Sequence, residues 1–446
     1  MKIQRTLSLF VFLWVTLICL VEAQSLQWRA LPSAPAEQGR LEDIFFLNAS
    51  NGWTVNLAGE IYRTRDGGNT WQLLWKDTSA AFRSIGFADS LRGWAGTVFS
   101  TNPLYETKDG GAHWTPVDNL PASRPSGICG LSVVNDSVVY GVGTFFQTTP
   151  LIKTVDGGKT WNAIDLSSQA KTLIDVRFFS ADSGFVTGGF AAQDNAPLAD
   201  LKAVILFTAN GGQTWETRYH SDSLGTWTWK LAFPSGRTVF ASVERFSKPQ
   251  GIVLKSLDGG ARWSETFFNG QSDVQGVGFV DSLHGWVGTH DSSYTTEDGG
   301  NTWHPFEFWT GPNAINRIRM LNDTLGYAAG KTVFKFSRAT PPGALSGPRS
   351  HRPEPTNPGL RSGPNPFRDQ IDLFYSLATS SFVTLTIYDF RGKLVRTLVN
   401  GRLPAGNHTA YLKAQGLPRG PYLARLRIVN GTVNGLVSAL ELWRLP

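Results

Sequence analysis

The sequence predicts an all-β protein, a seven-bladed β-propeller followed by a small Ig-like β-sandwich. Three observations predict it: a turn motif that recurs six times, an upstream strand motif that recurs seven times, and a C-terminal change to short strand-like runs. The 446 residues are 12% aromatic and 17% charged, with 47 Gly and 16 Trp. A chain with this much aromatic surface to bury is not disordered.

The turn motif is Thr64-Arg65-Asp66-Gly67-Gly68-Asn69-Thr70-Trp71. Its acidic position recurs at Asp109, Asp156, Asn210, Asp258 and Asp298, and the copies end in Trp114, Trp161, Trp215, Trp263 and Trp303. Spacings of 43, 47, 54, 48 and 40 residues suit one four-stranded blade per repeat. Apolar residues such as Ile61-Tyr62 lead in, Asp-Gly-Gly supplies a turn that tolerates positive φ, and Trp begins the returning strand. The six Asp or Asn residues therefore read as structural. Their side-chain oxygens, with the Ser or Thr hydroxyl two residues earlier, can satisfy backbone groups that the turn leaves bare. Asn210 indicates that negative charge is not what the position needs.

The second motif is an apolar strand, a polar turn, then Gly with an aromatic, as in Phe87-Ala88-Asp89-Ser90-Leu91-Arg92-Gly93-Trp94. It recurs near Gly52, Tyr140, Gly184, Gly285 and Gly326, with Pro234-Ser235-Gly236 as a degenerate copy. The seventh unit reaches Ser337 and lacks the turn and the Trp, whereas Trp28-Arg29-Ala30-Leu31 resembles the strand that follows a box. The N-terminal segment is thus expected to complete the last blade and close the ring, leaving only short, protected edges.

The box pattern resembles Asp-box, or BNR, repeats, and with the upstream Gly-Trp it is similar to propellers related to photosystem II assembly and stability factors. The resemblance spans residues 24–337. It specifies fold better than activity, because Asp-box propellers include sialidases, other glycoside hydrolases, sorting receptors and non-catalytic scaffolds.

Before the propeller, Lys2 and Arg5 precede an apolar run from Thr6 to Val21, and Val21-Glu22-Ala23 offers small or β-branched residues for a peptidase. Residues 1–23 read as a signal peptide cleaved before Gln24. The run is too short to span a bilayer, which takes about 20 residues, so the mature protein is expected to be exported without a membrane span. Removal of Cys19 leaves Cys129 alone and no internal disulfide. Residues 338–362 read as a Pro-rich linker.

Residues 363–446 hold strand-like runs such as Val383-Thr384-Leu385-Thr386-Ile387-Tyr388 between Gly and Pro turns. Pro364-Asn365-Pro366-Phe367, Tyr388-Asp389-Phe390-Arg391-Gly392, Ala405-Gly406-Asn407-His408 and Gly420-Pro421-Tyr422-Leu423 resemble the type A sorting domain of the type IX secretion system. The resemblance implies Sec and type IX machinery as partners, a secreted or cell-surface location, and possible processing by a sortase with attachment to surface lipopolysaccharide. The terminal Leu440-Glu441-Leu442-Trp443-Arg444-Leu445-Pro446 departs from that family's usual last strand.

The net charge is +6, yet residues 337–446 carry fourteen basic and five acidic groups, and the propeller portion is acidic at −4. Without a basic stripe on the propeller, nucleic acid is not expected as a partner.

Aligning the seven inner strands places Glu42, Arg83, Cys129, Ile174, Trp229, Gln275 and Asn316 at one position, and Asp43, Ser84, Gly130, Asp175, Lys230, Gly276 and Arg317 at the next. The candidate ligand site at the channel mouth is Glu42, Asp43, Arg83, Asp175, Lys230, Arg317, Trp227 and Trp229, suited to a peptide or a glycan. The Ala191–Leu201 insertion is a further candidate loop.

No catalytic residue is assigned. A sialidase-like reaction needs an arginine cluster and a Tyr activated by Glu; Arg83, Arg177 and Arg317 are available, but no Tyr–Glu pair is legible. The His residues lack metal-ligand spacing, and no calcium loop or nucleophile elbow occurs, so neither metal nor cofactor is expected. Cys129 reads as a small core residue. The function expected is a secreted or cell-surface, non-catalytic binding or scaffold propeller. The alternative is a glycoside hydrolase using channel carboxylates.

Overall fold

The computed structural model describes residues 26–36, 40–143, 150–194, 196–235, 237–246, 249–269, 272–308, 315–338, 360–363, 367, 369–377, 379–389, 393–418, 420–429 and 434–444. The leader and most of the linker lie outside the described residues, as do Pro364-Asn365-Pro366 and Phe390-Arg391-Gly392.

Seven antiparallel four-stranded sheets form the propeller. Their inner strands, Leu41–Phe46, Ala81–Phe87, Gly130–Val133, Thr172–Phe178, Thr226–Ser235, Gly276–Phe279 and Arg317–Asn322, define blades one to seven. Each inner strand touches the next, and blade seven returns to blade one. The ring closes as expected: Leu26–Ala30 pairs antiparallel with Val333–Arg338, setting Trp28 opposite Phe336. Trp28 packs among Trp286, Phe308 and Phe336 at ring-centre distances of 5.5, 4.9 and 5.4 Å.

The box turns are built from local hydrogen bonds. Thr64 Oγ1 accepts the Gly68 N–H at 2.8 Å and donates to Asp66 Oδ1 at 2.8 Å, while Asp66 accepts the Thr70 N–H at 2.9 Å and the Thr70 hydroxyl at 2.6 Å. Gly67 and Gly68 have φ of 70° and 90°, which disfavours any side chain there. Asn210 keeps the arrangement: its Oδ1 accepts the Thr214 N–H and its Nδ2 donates to the Thr214 hydroxyl. The box tryptophans stand just ahead of their returning strands. Trp114, Trp215 and Trp263 fold their indoles back over the turn, donating to Gly111, Gly212 and Gly260 carbonyls at 3.0–3.1 Å.

The upstream Gly-aromatic motif has a packing cause. Phe46, Phe87, Phe178 and Phe279 lie flat across the glycine paired with each, Gly52, Gly93, Gly184 and Gly285, where an added Cβ would come within 2.4–2.5 Å of the ring. Each phenylalanine stacks at 3.5–3.7 Å on an aromatic of the preceding blade, namely Tyr327, Trp53, Tyr140 and Phe240. Each also meets a box Trp of its own blade nearly at right angles, at 5.9–6.2 Å. Such contacts contribute about 0.5–1.5 kcal/mol beyond area burial. A cation caps several of these stacks: Arg63 lies 4.7 Å over Trp53 and donates to Gly110 O in the next blade, and Lys335 does the same over Tyr327 toward Gly67 O at the closing seam.

The C-terminal sandwich has its own core. One sheet holds Arg361–Gly363, Gln370–Leu377 and Gly406–Lys413; the other holds Leu394–Leu403, Ser381–Asp389, Gly420–Val429 and Asn434–Arg444. Alternate residues Val383, Leu385 and Ile387 face Ile371, Leu373 and Leu412 inside, as period-two patterning requires.

Candidate functional site

Four inner strands slip register at the aligned positions, between Leu41 and Asp43, Phe82 and Ser84, Leu173 and Asp175, and Thr228 and Leu231. A bulge re-aims the extra residue, so successive side chains such as Glu42 with Asp43, and Trp229 with Lys230, both reach toward the ring interior.

There they form two stacked layers. In one, Arg317 of blade seven reaches Asp43 through Nε at 2.9 Å and grips Asp175 of blade four at 2.8 and 3.1 Å. Arg319 also pairs with Asp43 at 3.2 Å, and Lys230 lies 3.7 Å from Asp175. Burial raises the carboxyls of Asp43 and Asp175, but the surrounding cations outweigh it and hold both below the ordinary range. Burial, reinforced by Arg317, pushes the Lys230 ammonium down to about 7.

In the second layer Glu42 pairs with Arg83 and accepts two bonds from Arg40 at 3.0 Å, while Arg40 also donates to Gln275 at 2.7 Å. The Arg83 guanidinium lies 5.2 Å over Trp229, whose indole donates to Glu244. Trp227 joins Trp229, Ile174, Ala191 and Leu201 in a small apolar cluster, so Ala191, Ala196, Leu198 and Leu201 of the insertion pack against these rings.

The structure therefore brings together the residues aligned from sequence, and it buries all eight. The expected mouth position lies inside the ring, because side chains as long as Arg317 span from one blade to another across it. A signal one strand period further was missed. Continuing the alignment by two residues gives Phe45, Gly86, Ser132, Arg177, Ala232, Gly278 and Arg319. Arg177 is exposed, and among the described residues no hydrogen bond or ion pair to it is found. Its guanidinium is exposed yet has protein close by, which partly desolvates it. Desolvation and the neighbouring Arg319 push it down to about 10. Here Arg177, Arg317, Arg319 and Lys230 outnumber Asp43 and Asp175, leaving an excess of positive charge.

In this layer Asp43 and Asp175 are held ionised, and Lys230, lowered to about 7, is the group whose charge can change near neutral pH. A Tyr–Glu pair does exist, Tyr219 with Glu265 on the outer strands of blades four and five. Burial and Glu265 push the Tyr219 phenol up, the opposite of activation. No cluster of His, Cys, Asp and Glu suited to a metal occurs among the described residues. Cys129 is buried.

Residues 20–149 match the family described as photosynthesis system II assembly factor YCF48. Residues 364–437 match the secretion system C-terminal sorting domain. The chain is an Asp-box propeller that carries a secretion sorting domain. That domain marks the propeller as a secreted or cell-surface protein. Two solved YCF48 structures align with the propeller at a TM-score of 0.52. One is bound to D1 peptide, with 16% identity over 72% of this chain and 97% of its own. The other, from Cyanidioschyzon merolae, shows 18% identity over 70% of this chain and 98% of its own. An ancestral GH74 enzyme aligns at 0.51 with 11% identity, over 91% of this chain and 60% of its own. These likenesses establish the propeller fold. No curated protein matches the chain.

Proposed function

We propose that this chain is an exported, non-catalytic propeller that holds an anionic segment of a peptide or glycan at the Arg177 end of its ring. Arg177 carries the reading: an exposed guanidinium without an ion pair among the described residues, beside Arg319 and Arg317, gains most from a ligand carboxylate, which it can take up through two parallel hydrogen bonds. The buried set Glu42, Asp43, Arg83, Asp175, Lys230, Arg317, Trp227 and Trp229 stiffens the wall behind it. The YCF48 structure bound to a peptide supports a peptide as the first class to try.

In this reading residues 1–23 are a leader removed on Sec export, 24–337 the propeller, 338–362 the linker and 363–446 the address read by the type IX machinery, with sortase processing and lipopolysaccharide attachment as the possible end point. Deleting 363–446 should trap the propeller short of the medium; undiminished release would defeat the address. For the ligand, acidic peptides and oligosaccharides should be retained by the wild-type chain and lost by Arg177→Ala. Equal retention by both would defeat the site.

One observation favours the glycoside hydrolase reading. Glu244, pushed up by burial, accepts bonds from Trp229 and Gln275 at the opposite end of the ring and lies near Asp273. A carboxyl whose affinity for its proton is raised by burial is the kind of group a glycosidase acid uses. Turnover of a glycan panel, abolished by Glu244→Gln, would replace the binding reading.

A further inference from the structure

Blades two, four and six, with blade one at the seam, repeat one packing device, and in blade five it fails. Phe233 holds the position of the flat phenylalanines, but in place of a Gly-aromatic turn the chain reads Pro234-Ser235. The strand pairing slips between Ala232 and Ser235, so Phe233 has no paired residue to lie across. It meets Phe185 of blade four at 5.9 Å and 37° rather than stacking. Phe179 of blade four then stands edge-on to Phe233 at 4.7 Å and remains 38% exposed.

This irregular interface adjoins the unpaired cation. Phe179 stands just past the end of the Thr172–Phe178 strand, and its ring meets Phe185, the residue paired with Arg177, at 6.2 Å, so both lie beside Phe185, two residues or about 7 Å apart along the chain. Both are exposed. An extended peptide has the same two-residue spacing along one face.

We propose, resting on the anion-binding reading above, that Phe179 and Phe233 form an apolar subsite beside Arg177. The ligand is then an extended peptide that carries a carboxylate and, two residues away, a bulky apolar side chain. The edge-to-face pair leaves an aromatic surface for that side chain to cover, while Arg177 fixes the register through the carboxylate.

The test is fluorescence anisotropy on the full chain with three labelled peptide amides, Phe-Ser-Asp, Ser-Ser-Asp and Phe-Ser-Asn. Phe-Ser-Asp should bind at least about tenfold more tightly than Ser-Ser-Asp. Phe179→Ser, a change at an exposed site, should bring that ratio to near one while Phe-Ser-Asp keeps its advantage over Phe-Ser-Asn. If the variant retains the wild-type ratio, the apolar subsite is overturned and the anion site stands. If the wild-type chain binds Phe-Ser-Asp no better than Phe-Ser-Asn, the anion reading fails and the subsite with it.

Discussion

The box turns at the rim and the inner strands around the ring use the same repeat in opposite ways. At the rim, the repeat preserves one chemistry: in each of the six boxes a Ser or Thr hydroxyl accepts the N–H of the second glycine. In the ring, equivalent positions hold Asp43, Ser84, Gly130, Asp175, Lys230, Gly276 and Arg317, and no two neighbours do the same job. Repetition marks what every blade needs; variation marks what the ring needs once.

The largest expected effect tests whether closure dominates both. Trp28→Ala should cost about 3–5 kcal/mol, the usual price of emptying a buried aromatic site, read as a lower urea midpoint of the propeller. An unchanged midpoint would show that the seam contributes little. Arg317→Met should destabilise by a similar or slightly smaller amount, about 3–5 kcal/mol, because buried Asp43 would keep only Arg319 and buried Asp175 only the more distant Lys230 as ion-pair partners. Adding Asp43→Asn and Asp175→Asn should recover much of the loss, and a triple variant as weak as the single one would refute the ion-pair account.

Rim changes should be milder. Thr64→Val leaves the Gly68 N–H without its acceptor and should cost about 1–3 kcal/mol, measured in the same denaturation. The box carboxylate Asp109 is held at about 2, its burial outweighed by hydrogen bonds from His113, and Asp298 is held at about 2 chiefly by hydrogen bonds from Thr302. A carboxyl lowered on folding stabilises above its unfolded value near 4 and loses that contribution as pH falls toward 2. Asp109→Asn should therefore flatten part of the melting-temperature decline between pH 4 and 2; an identical decline would contradict it. The smallest stability effect belongs to Arg177→Ala, within about 0.5 kcal/mol as for an exposed substitution, combined with loss of anionic ligand. Strong destabilisation would place Arg177 among the fold's supports.

Much of the fold was legible because its causes are local. Asp-Gly-Gly dictates a turn, a glycine paired with Phe46 or Phe87 dictates a flat ring, and a missing box in blade seven points to Trp28. The candidate site was less legible because its contacts join blade seven to blade four, a separation of 142 residues between Arg317 and Asp175. Alignment found which positions converge. It could not tell that long side chains would bury them, nor that Arg177, one strand period further on, would stay open. The aromatic misfit at Phe233 was visible only as a degenerate turn, since the loss of a stacking partner depends on register.

The seam joining Leu26–Ala30 to Val333–Arg338 also imposes an order of events. The first strand of the ring has no partner until the last has emerged, and the sorting domain comes after that last strand. A polypeptide cut short anywhere within the blades therefore lacks both a finished circle and a passport, so the arrangement of the chain itself withholds the exit label from incomplete copies.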